Sequence, residues 1–501
     1  MALPLKISNS LILFLLLLAV PLFAWERVYS SALPEKVHTI SHAWDGGYVL
    51  AGYTMPIPEL RDFLFMKIDT GGNLVWSRSY GDPLINESSG KHIQTADSCY
   101  LGIASSFFPH SHPWIFKLDQ TGDTLWSKNY VLSGSSSISS INMNSDSGFI
   151  FTSYAVIAEA GVGANYQKFL FMRIDSDGDT MWVRKYGPDS LSYGHHVKQT
   201  VTGDFLACGS THFNGHLPHD VCIIKVSQTG DSLWAKTYDF FGGIDAAYDF
   251  VFTTGDSTIM IGSVTLAGEE KTDLLIMHID EAGSLLWWKS YGGPETDYGS
   301  DILSCADGGF IVLANSFSDI SLSYYIWLLK FDEHGDTVWT RKFGEISDHS
   351  EYGANILATD DGGYIIAGHS VNLDSDIADP LVIRVDSLGN HVPSGISENS
   401  PSAKPEAFEI SAYPNPFNSA VKFSAPAGAE IEIFDVNGRR ISVIPDPDRE
   451  SRGIANNLDS RFHGNDKTLV WHPDASLCSG VYLVRVWARD ESVTKRIVYL
   501  K

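Results

Sequence analysis

The sequence predicts an all-β fold, a seven-bladed β-propeller of four-stranded blades followed by a smaller all-β unit, and three observations carry that prediction. First, one phrase returns along the chain: GNLVWSRSY from Gly72, GDTLWSKNY from Gly122, GDTMWVRKY from Gly178, GDSLWAKTY from Gly230, GSLLWWKSY from Gly283 and GDTVWTRKF from Gly335. Its tryptophans, Trp76, Trp126, Trp182, Trp234, Trp287 and Trp339, are separated by 50, 56, 52, 53 and 52 residues, a period that fits one four-stranded blade better than a helical or leucine-rich repeat. Second, each period holds apolar runs of about six residues, rich in β-branched and aromatic side chains and bounded by Gly, Asp and Asn, which is a strand pattern. Third, the aspartate turns that precede the phrase number seven, at Gly72, Gly122, Gly178, Gly230, Gly283, Gly335 and Gly389.

The chain opens on MALPLKISNS, LILFLLLLAV and PLFA, a Lys-bearing start, a short apolar run and small Ala24, which reads as a signal peptide over residues 1–24. No later segment has the roughly 18 apolar residues of a spanning helix, so no transmembrane span is expected in the mature chain. Residues 25–392 make the propeller. In each period an inner strand, such as HHVKQTV from His195, leads to a Gly-rich turn and an apolar strand, as in DGGYVLAGYT from Asp45, DSGFIFTSY from Asp146, DGGFIVLANS from Asp307 and DGGYIIAGHS from Asp361. A second apolar strand runs into the aspartate turn, as in FLFMKIDTGG from Phe63, FLFMRIDSDG from Phe169 and IWLLKFDEHG from Ile326. There Gly suits a positive φ and Asp bonds the turn backbone. The W-x-x-x-Y strand comes last.

The seventh turn, GNHVPSG from Gly389, lacks that last strand, whereas Trp25, Glu26, Arg27, Val28 and Tyr29 spell it at the start of the mature chain. A ring closed by its own first strand has no open edge to pair with other chains. The first strand is therefore expected to complete the last blade. Residues 393–407, rich in Ser, Pro and Glu, read as a linker. Residues 408–501 form the smaller β unit, and within it the polar, aperiodic stretch 445–467 reads as a loop insertion, which a surface connection tolerates at small free-energy cost.

With 501 residues, 44% hydrophobic and 19% charged, the chain has apolar material for large cores and is not a disordered composition. A formal net charge of -25 argues against nucleic acid or anionic membrane as the main partner. Five cysteines are few and odd in number. Cys208 and Cys222 could meet on neighbouring strands, but burial as small apolar side chains is the simpler reading for all five than a disulfide framework.

Over roughly residues 25 to 392, phrases of the form DGGYI, VKID and GNLVWS resemble the bacterial β-propeller repeats known as SBBP-type repeats. The resemblance speaks to fold and not to activity. A second resemblance rests on Tyr413, Pro414, Asn415, Pro416, Phe417 and Asn418, on IEIFDVNGRR with Asn437, Gly438 and Arg439, on SGVYLVRV with Gly480 and Tyr482, and on the basic last strand ending at Lys501. These look like the type A, Por-type C-terminal sorting domain recognised by the type IX secretion machinery. That resemblance implies a small β-sandwich, export across the inner membrane by the signal peptide, passage across an outer membrane, and release or attachment at the cell surface.

Few residues read as chemistry. His212, His216 and His219 in THFNGHLPHD, with Asp220, could supply metal ligands, but their spacing matches no strong motif and an exposed His-rich loop is the simpler reading. Asp175, Asp177 and Asp179 in DSDGDT offer alternating carboxylates of the kind calcium prefers, but the equivalent turns lose most of them and a hairpin accounts for the pattern. No cofactor is otherwise expected. The sequence contains no nucleophile elbow, zinc-protease helix, P-loop or dinucleotide fingerprint, so no catalytic residue is assigned. The segments joining the two apolar strands, from TMPIPELRD to VNLDSDIADP, vary in length and chemistry, and specificity on a rigid ring is usually carried by such variation. The expected function is non-catalytic binding of glycan or protein at the cell exterior. An extracellular polysaccharide hydrolase or lyase with its site in the channel, and a structural surface-layer component, are the alternatives.

Overall fold

The computed structural model describes residues 24–391 apart from short connections, such as 159–164 and 213–218, and most strand residues between 411 and 499. The expected leader, the linker, the bulk of the insertion, and Pro414 to Asn418, Asn437 to Arg439 and Lys501 of the sorting motif lie outside the described residues.

The architecture is all-β, with no helix among the described residues. Residues 35–80, 86–129, 140–186, 192–238, 246–291 and 297–343 each form one four-stranded antiparallel meander. A seventh sheet joins His349–Ala358, Tyr364–Asn372 and Ala378–Val385 to Trp25–Val28 from the start of the chain. Trp25 pairs with Arg384 and Val28 with Leu381, so the N-terminal strand occupies the position the sequence left vacant. The arrangement is compatible with a β-propeller.

The same periodicity explains the packing. Side chains alternate across a strand, and the second and third strands of each sheet are buried on both faces, so they read as nearly continuous apolar runs. Val49, Ala51, Phe63 and Phe65 pack with Tyr100, Ala104 and Phe116 of the second sheet. Their neighbours Leu50, Leu64 and Met66 point the other way and pack with Trp25, Ile365, Ala367 and Val382. Six apolar clusters each join one sheet to the next, and the cluster holding Trp25 joins the seventh to the first. The seven first strands also touch in a closed cycle.

The recurring phrase is the joint between sheets. Each tryptophan lies against the turn glycine of the following sheet: Trp25 on Gly72, Trp126 on Gly178, Trp339 on Gly389. At Gly72, where φ is 77°, an added Cβ would sit 2.6 Å from the Trp25 ring, so the position must be glycine for both reasons. The tyrosine four residues on donates its hydroxyl to that glycine's carbonyl: Tyr29 to Gly72 at 2.8 Å and Tyr130 to Gly178 at 2.6 Å. Tyr80, Tyr186, Tyr238 and Tyr291 do the same to Gly122, Gly230, Gly283 and Gly335. A ring that fills space and a hydroxyl that satisfies a carbonyl account for W-x-x-x-Y.

The register separates the two central cysteines. Cys208 is opposite Ile223 and Cys222 is opposite Gly209, which sends the two thiols to opposite faces. Cys208 packs towards the fifth sheet and Cys222 towards the third, and both are free. One expectation is corrected by strand length. The segments TMPIPELRD and AVIAEAGVGANYQK are mostly strand, because Tyr48–Ile57 runs nearly into Leu60–Ile68 and Phe149–Ala158 stays paired with Asn165–Ile174 as far as Ala158 and Asn165.

The C-terminal strands form a three-stranded and a four-stranded sheet. Val421, Phe423 and Trp471 from the first share one core with Ile431, Ile433, Tyr482, Val484, Ile497 and Tyr499 from the second.

Candidate functional site

The first strands of the seven sheets carry the polar chemistry of the ring, and a β-bulge organises it. In six of them the register slips near the middle, as between Val37 and Thr39, Gly194 and His196, Ala247 and Asp249, and Gly299 and Asp301. A bulge turns the strand and re-aims the side chains beside it. The residue just past the bulge, nine positions before the first residue of the second strand, is Thr39, Lys91, His196, Asp249, Asp301 or Asn355, and Ser140 stands there in the third sheet. All seven are polar, and several reach into the adjoining sheet. Asn355 Oδ1 accepts from Ile40 N (2.8 Å), Asp301 Oδ2 from Ile356 N (2.7 Å) and Thr39 Oγ1 from His92 N (3.2 Å). His196 Nδ1 and Lys198 Nζ meet Asp249 Oδ1 at 3.0 and 3.2 Å.

This belt holds a buried carboxyl pair. Burial opposes the charge on Asp249, but His196 and Lys198 beside it hold its carboxyl below the usual range. Burial and then Asp249 itself push Asp301 well above that range, so Asp301 keeps its proton and bonds Asp249. Phe250 N and Ile302 N also bond these carboxyls. Oxygens committed to backbone amides serve packing rather than proton transfer to a substrate. Lys91 stands in the second sheet, three steps one way from the fifth and three the other way from the sixth in the seven-sheet cycle, and the charges of Asp249 and Asp301 act on it across the ring. Burial lowers its pKa.

A second ring lies at the entry of the first strands, thirteen residues before the second strand begins: Glu35, Glu87, Ser136, Ser192, Asp245, Asp297 and Glu351. These carboxyls cap the connections between sheets. Asp245 Oδ2 accepts from Phe240 N (2.7 Å) and Asp297 Oδ2 from Gly293 N (2.8 Å). Burial pushes Glu87 up to about 9, Glu351 to about 7 and Asp245 to about 6. The ring is therefore less negative than its composition suggests.

Above the bulges, at the end where sheets connect to one another, half-buried aromatic side chains gather. Tyr324 lies 6.2 Å from Tyr298 and 5.0 Å from Tyr352, and Tyr352 stacks on His369 at 5.0 Å with 16° between the planes. The row continues into the first sheet, where His38 meets Tyr53 at 5.4 Å and the Arg61 guanidinium lies 4.5 Å over the Tyr53 ring. Further round, His195 abuts Tyr248 at 5.1 Å and Tyr154 abuts Tyr193 at 5.4 Å. Burial, then the neighbouring cations, lowers His38 to about 4, so its ring is neutral at pH 7. Burial likewise holds His195 at about 4. The mouth is thus lined by flat, uncharged rings with polar tips. At the opposite end, a cavity of about 400 Å³ is walled by His42, Trp44, Gln94 and Asp360. Gln94's amide is spent there on His42 O and Trp44 N.

The residues singled out in the sequence fall elsewhere. His212 and His219 are cross-strand partners whose Nε2 atoms meet at 2.5 Å, while His216 lies outside the described residues. Among the described residues no group of three His, Cys, Asp or Glu side chains is placed to hold a metal ion. Asp175 Oδ1 accepts from the amides of Asp177 and Asp179, and Asp179 pairs with Lys128. The same carboxylate-to-amide bonding recurs at Asp69, Asp119, Asp332 and Asp386, so turn geometry accounts for DSDGDT. Of the residues expected to form a sorting motif, Tyr413 ends the first strand of the three-stranded sheet, opposite Lys422, and Gly480 and Tyr482 pair with Tyr499 and Ile497. Sequence reading missed both polar rings and the aromatic mouth. The signal of the two polar rings was present as fixed offsets of nine and thirteen from the start of each second strand.

No family model matches the chain, and no curated protein is significantly similar to it.

Proposed function

We propose that residues 25–392 are a seven-bladed β-propeller, with the seven sheets as blades, that binds glycan without turning it over at the aromatic mouth. The observation that supports this most is the row Tyr298, Tyr324, Tyr352 and His369, left half-exposed with the three tyrosine hydroxyls free of any hydrogen bond among the described residues. A flat ring offers its face to the C–H side of a sugar, and a free phenol offers a donor and acceptor to its hydroxyls. The commitment of Asp249 and Asp301 to backbone amides argues against an acid–base pair in the channel. We further propose export by the leader and the type IX machinery, read from the motif residues of 408–501 and supported by the shared core of its two sheets.

A thermal-shift screen of the mature chain against soluble polysaccharides tests the binding reading, because a ligand that binds only the folded state raises the melting temperature. A shift with at least one polysaccharide, without release of reducing ends, is the expected result. Release of product would establish the enzyme instead. For export, cells of a type IX-competent host expressing the chain should place it outside, and removal of 408–501 should retain it; export unchanged by that removal would overturn the sorting reading.

A further inference from the structure

We infer that the glycan taken at this mouth is an anionic one, a polysaccharide bearing uronate carboxylates, with its ring on Tyr352 and His369 and its carboxylate at Lys36 and Arg61. This rests on the binding reading above and names its substrate class. The chain carries a formal charge of -25, yet cations collect where the aromatic row passes from the seventh sheet into the first. Lys36, beside His38 in the first strand of that sheet, acts electrostatically on both His38 and His369, and Arg61 acts on His38 and Lys36. Lys36 is the cross-strand partner of Tyr53, the ring that His38 meets and Arg61 covers, and its strand packs against the strands that carry Tyr352 and His369.

Lys36 and Arg61 form no ion pair among the described residues, whereas the third-strand cations Lys67, Lys117, Arg173, Lys330 and Arg384 are each matched to an aspartate. Burial and then Arg61 make the Lys36 charge costly, and Asp376, from the connection before Ala378–Val385, offsets it in part. Cations crowded together at a partly buried site gain most from an incoming anion, since its approach relieves both desolvation and mutual repulsion. The carboxyls that precede Lys36, Tyr352 and Tyr298 do not supply that anion, because burial raises Glu35, Glu351 and Asp297 toward the protonated form. The Arg61 guanidinium rests over the Tyr53 ring, a contact that leaves its N–H donors available to a carboxylate. His369 Nδ1 is buried without a hydrogen-bond partner, the kind of polar atom a ligand hydroxyl satisfies. A pyranose lying across Tyr352 and His369 and carrying a carboxylate at its rim would meet all of these groups at once.

The test is calorimetric titration of the mature chain with oligomers of polygalacturonate and alginate, and with the same oligomers after reduction of their carboxyls to primary alcohols. Binding of the anionic set, at least about tenfold tighter than the reduced set, is expected. Lys36→Gln and Arg61→Gln should each weaken anionic binding by about tenfold and leave the reduced set unchanged. Lys236→Gln, at the other end of its sheet, should change neither, and melting curves of all variants should match the parent. Equal binding of anionic and reduced oligomers, with loss on Tyr352→Ala, would overturn the uronate inference and keep the glycan reading. Binding of neither set, alongside absence of any shift in the polysaccharide screen, would overturn both.

Discussion

The Tyr29 hydroxyl donates to the Gly72 carbonyl across 2.8 Å, so the residue that follows the N-terminal strand is fastened to the turn before the last strand of the first sheet. Trp25, four residues earlier, lies against the same glycine and is only 6% exposed. One short strand thus completes the seventh sheet and locks it to the first. Deletion of Trp25 to Tyr29 should remove that lock and leave an open strand edge. Removing a buried tryptophan alone costs about 3 kcal/mol or more. The expected outcome is a fall of several degrees in melting temperature and a tendency to associate. Differential scanning calorimetry with sedimentation checks it, and an unchanged melt would contradict ring closure.

The joint makes a second, quantitative prediction at the turns. Gly178 and Gly46 both have positive φ, 80° and 89°, but an added Cβ meets the Trp126 ring at 2.8 Å in the first and nothing within 4 Å in the second. Gly46→Ala should cost only backbone strain, about 1 kcal/mol. Gly178→Ala should cost about 1 to 2 kcal/mol beyond that, because the tryptophan must move. Paired denaturant melts measure the difference, and equal losses would show that the turn glycine is needed for φ alone.

Buried titratable groups set the pH range of stability from both sides. The unfolded chain protonates His92 near 6.5, whereas burial holds the folded ring neutral down to about 3. Stability is therefore lost as pH falls through that window. Glu87 runs the other way: burial raises it from 4.5 to about 9, so its contribution is present below 4.5 and is lost as pH rises through about 9. His92→Gln should flatten the acid limb and Glu87→Gln the alkaline limb of a plot of melting temperature against pH. Parallel curves for the variants and the parent would contradict the assigned states.

Cys208 and Cys222 face different sheets, so oxidation should not join them. Burial pushes the Cys222 thiol up to about 12, which keeps it a poor nucleophile. Reductant should leave the melting temperature unchanged, and a thiol reagent should react with these two only after unfolding. A shift of several degrees on reduction would require a different register.

The joints were readable in the sequence because each sheet solves the same problem with the same residues: a turn glycine, a tryptophan above it and an aromatic residue four positions on, in most a tyrosine that bonds its carbonyl. The polar belt was not, because its members share a place and not a chemistry. Thr39, Lys91, Ser140, His196, Asp249, Asp301 and Asn355 do not resemble one another until the fold brings them to one level. The mouth is harder still. Tyr298 and Tyr352 come from equivalent places in their sheets, but Tyr324 comes from a third strand and His369 from a second, so only the fold makes them neighbours. The histidine loop drew attention by composition, whereas the structure pairs His212 with His219 and adds no third ligand among the described residues.

The central claim is that the aromatic row binds glycan and does no chemistry on it. The most direct measurement is calorimetric titration of the mature chain and of a Tyr324→Ala, Tyr352→Ala double variant with the polysaccharide that gives the largest thermal shift, followed by analysis of the recovered polymer. The account predicts saturable binding by the parent, loss of about tenfold or more in affinity in the variant, since each stacked ring carries roughly 0.5–1.5 kcal/mol beyond its buried area, and polymer of unchanged length. Shortened polymer, or affinity untouched by removing both rings, would contradict it.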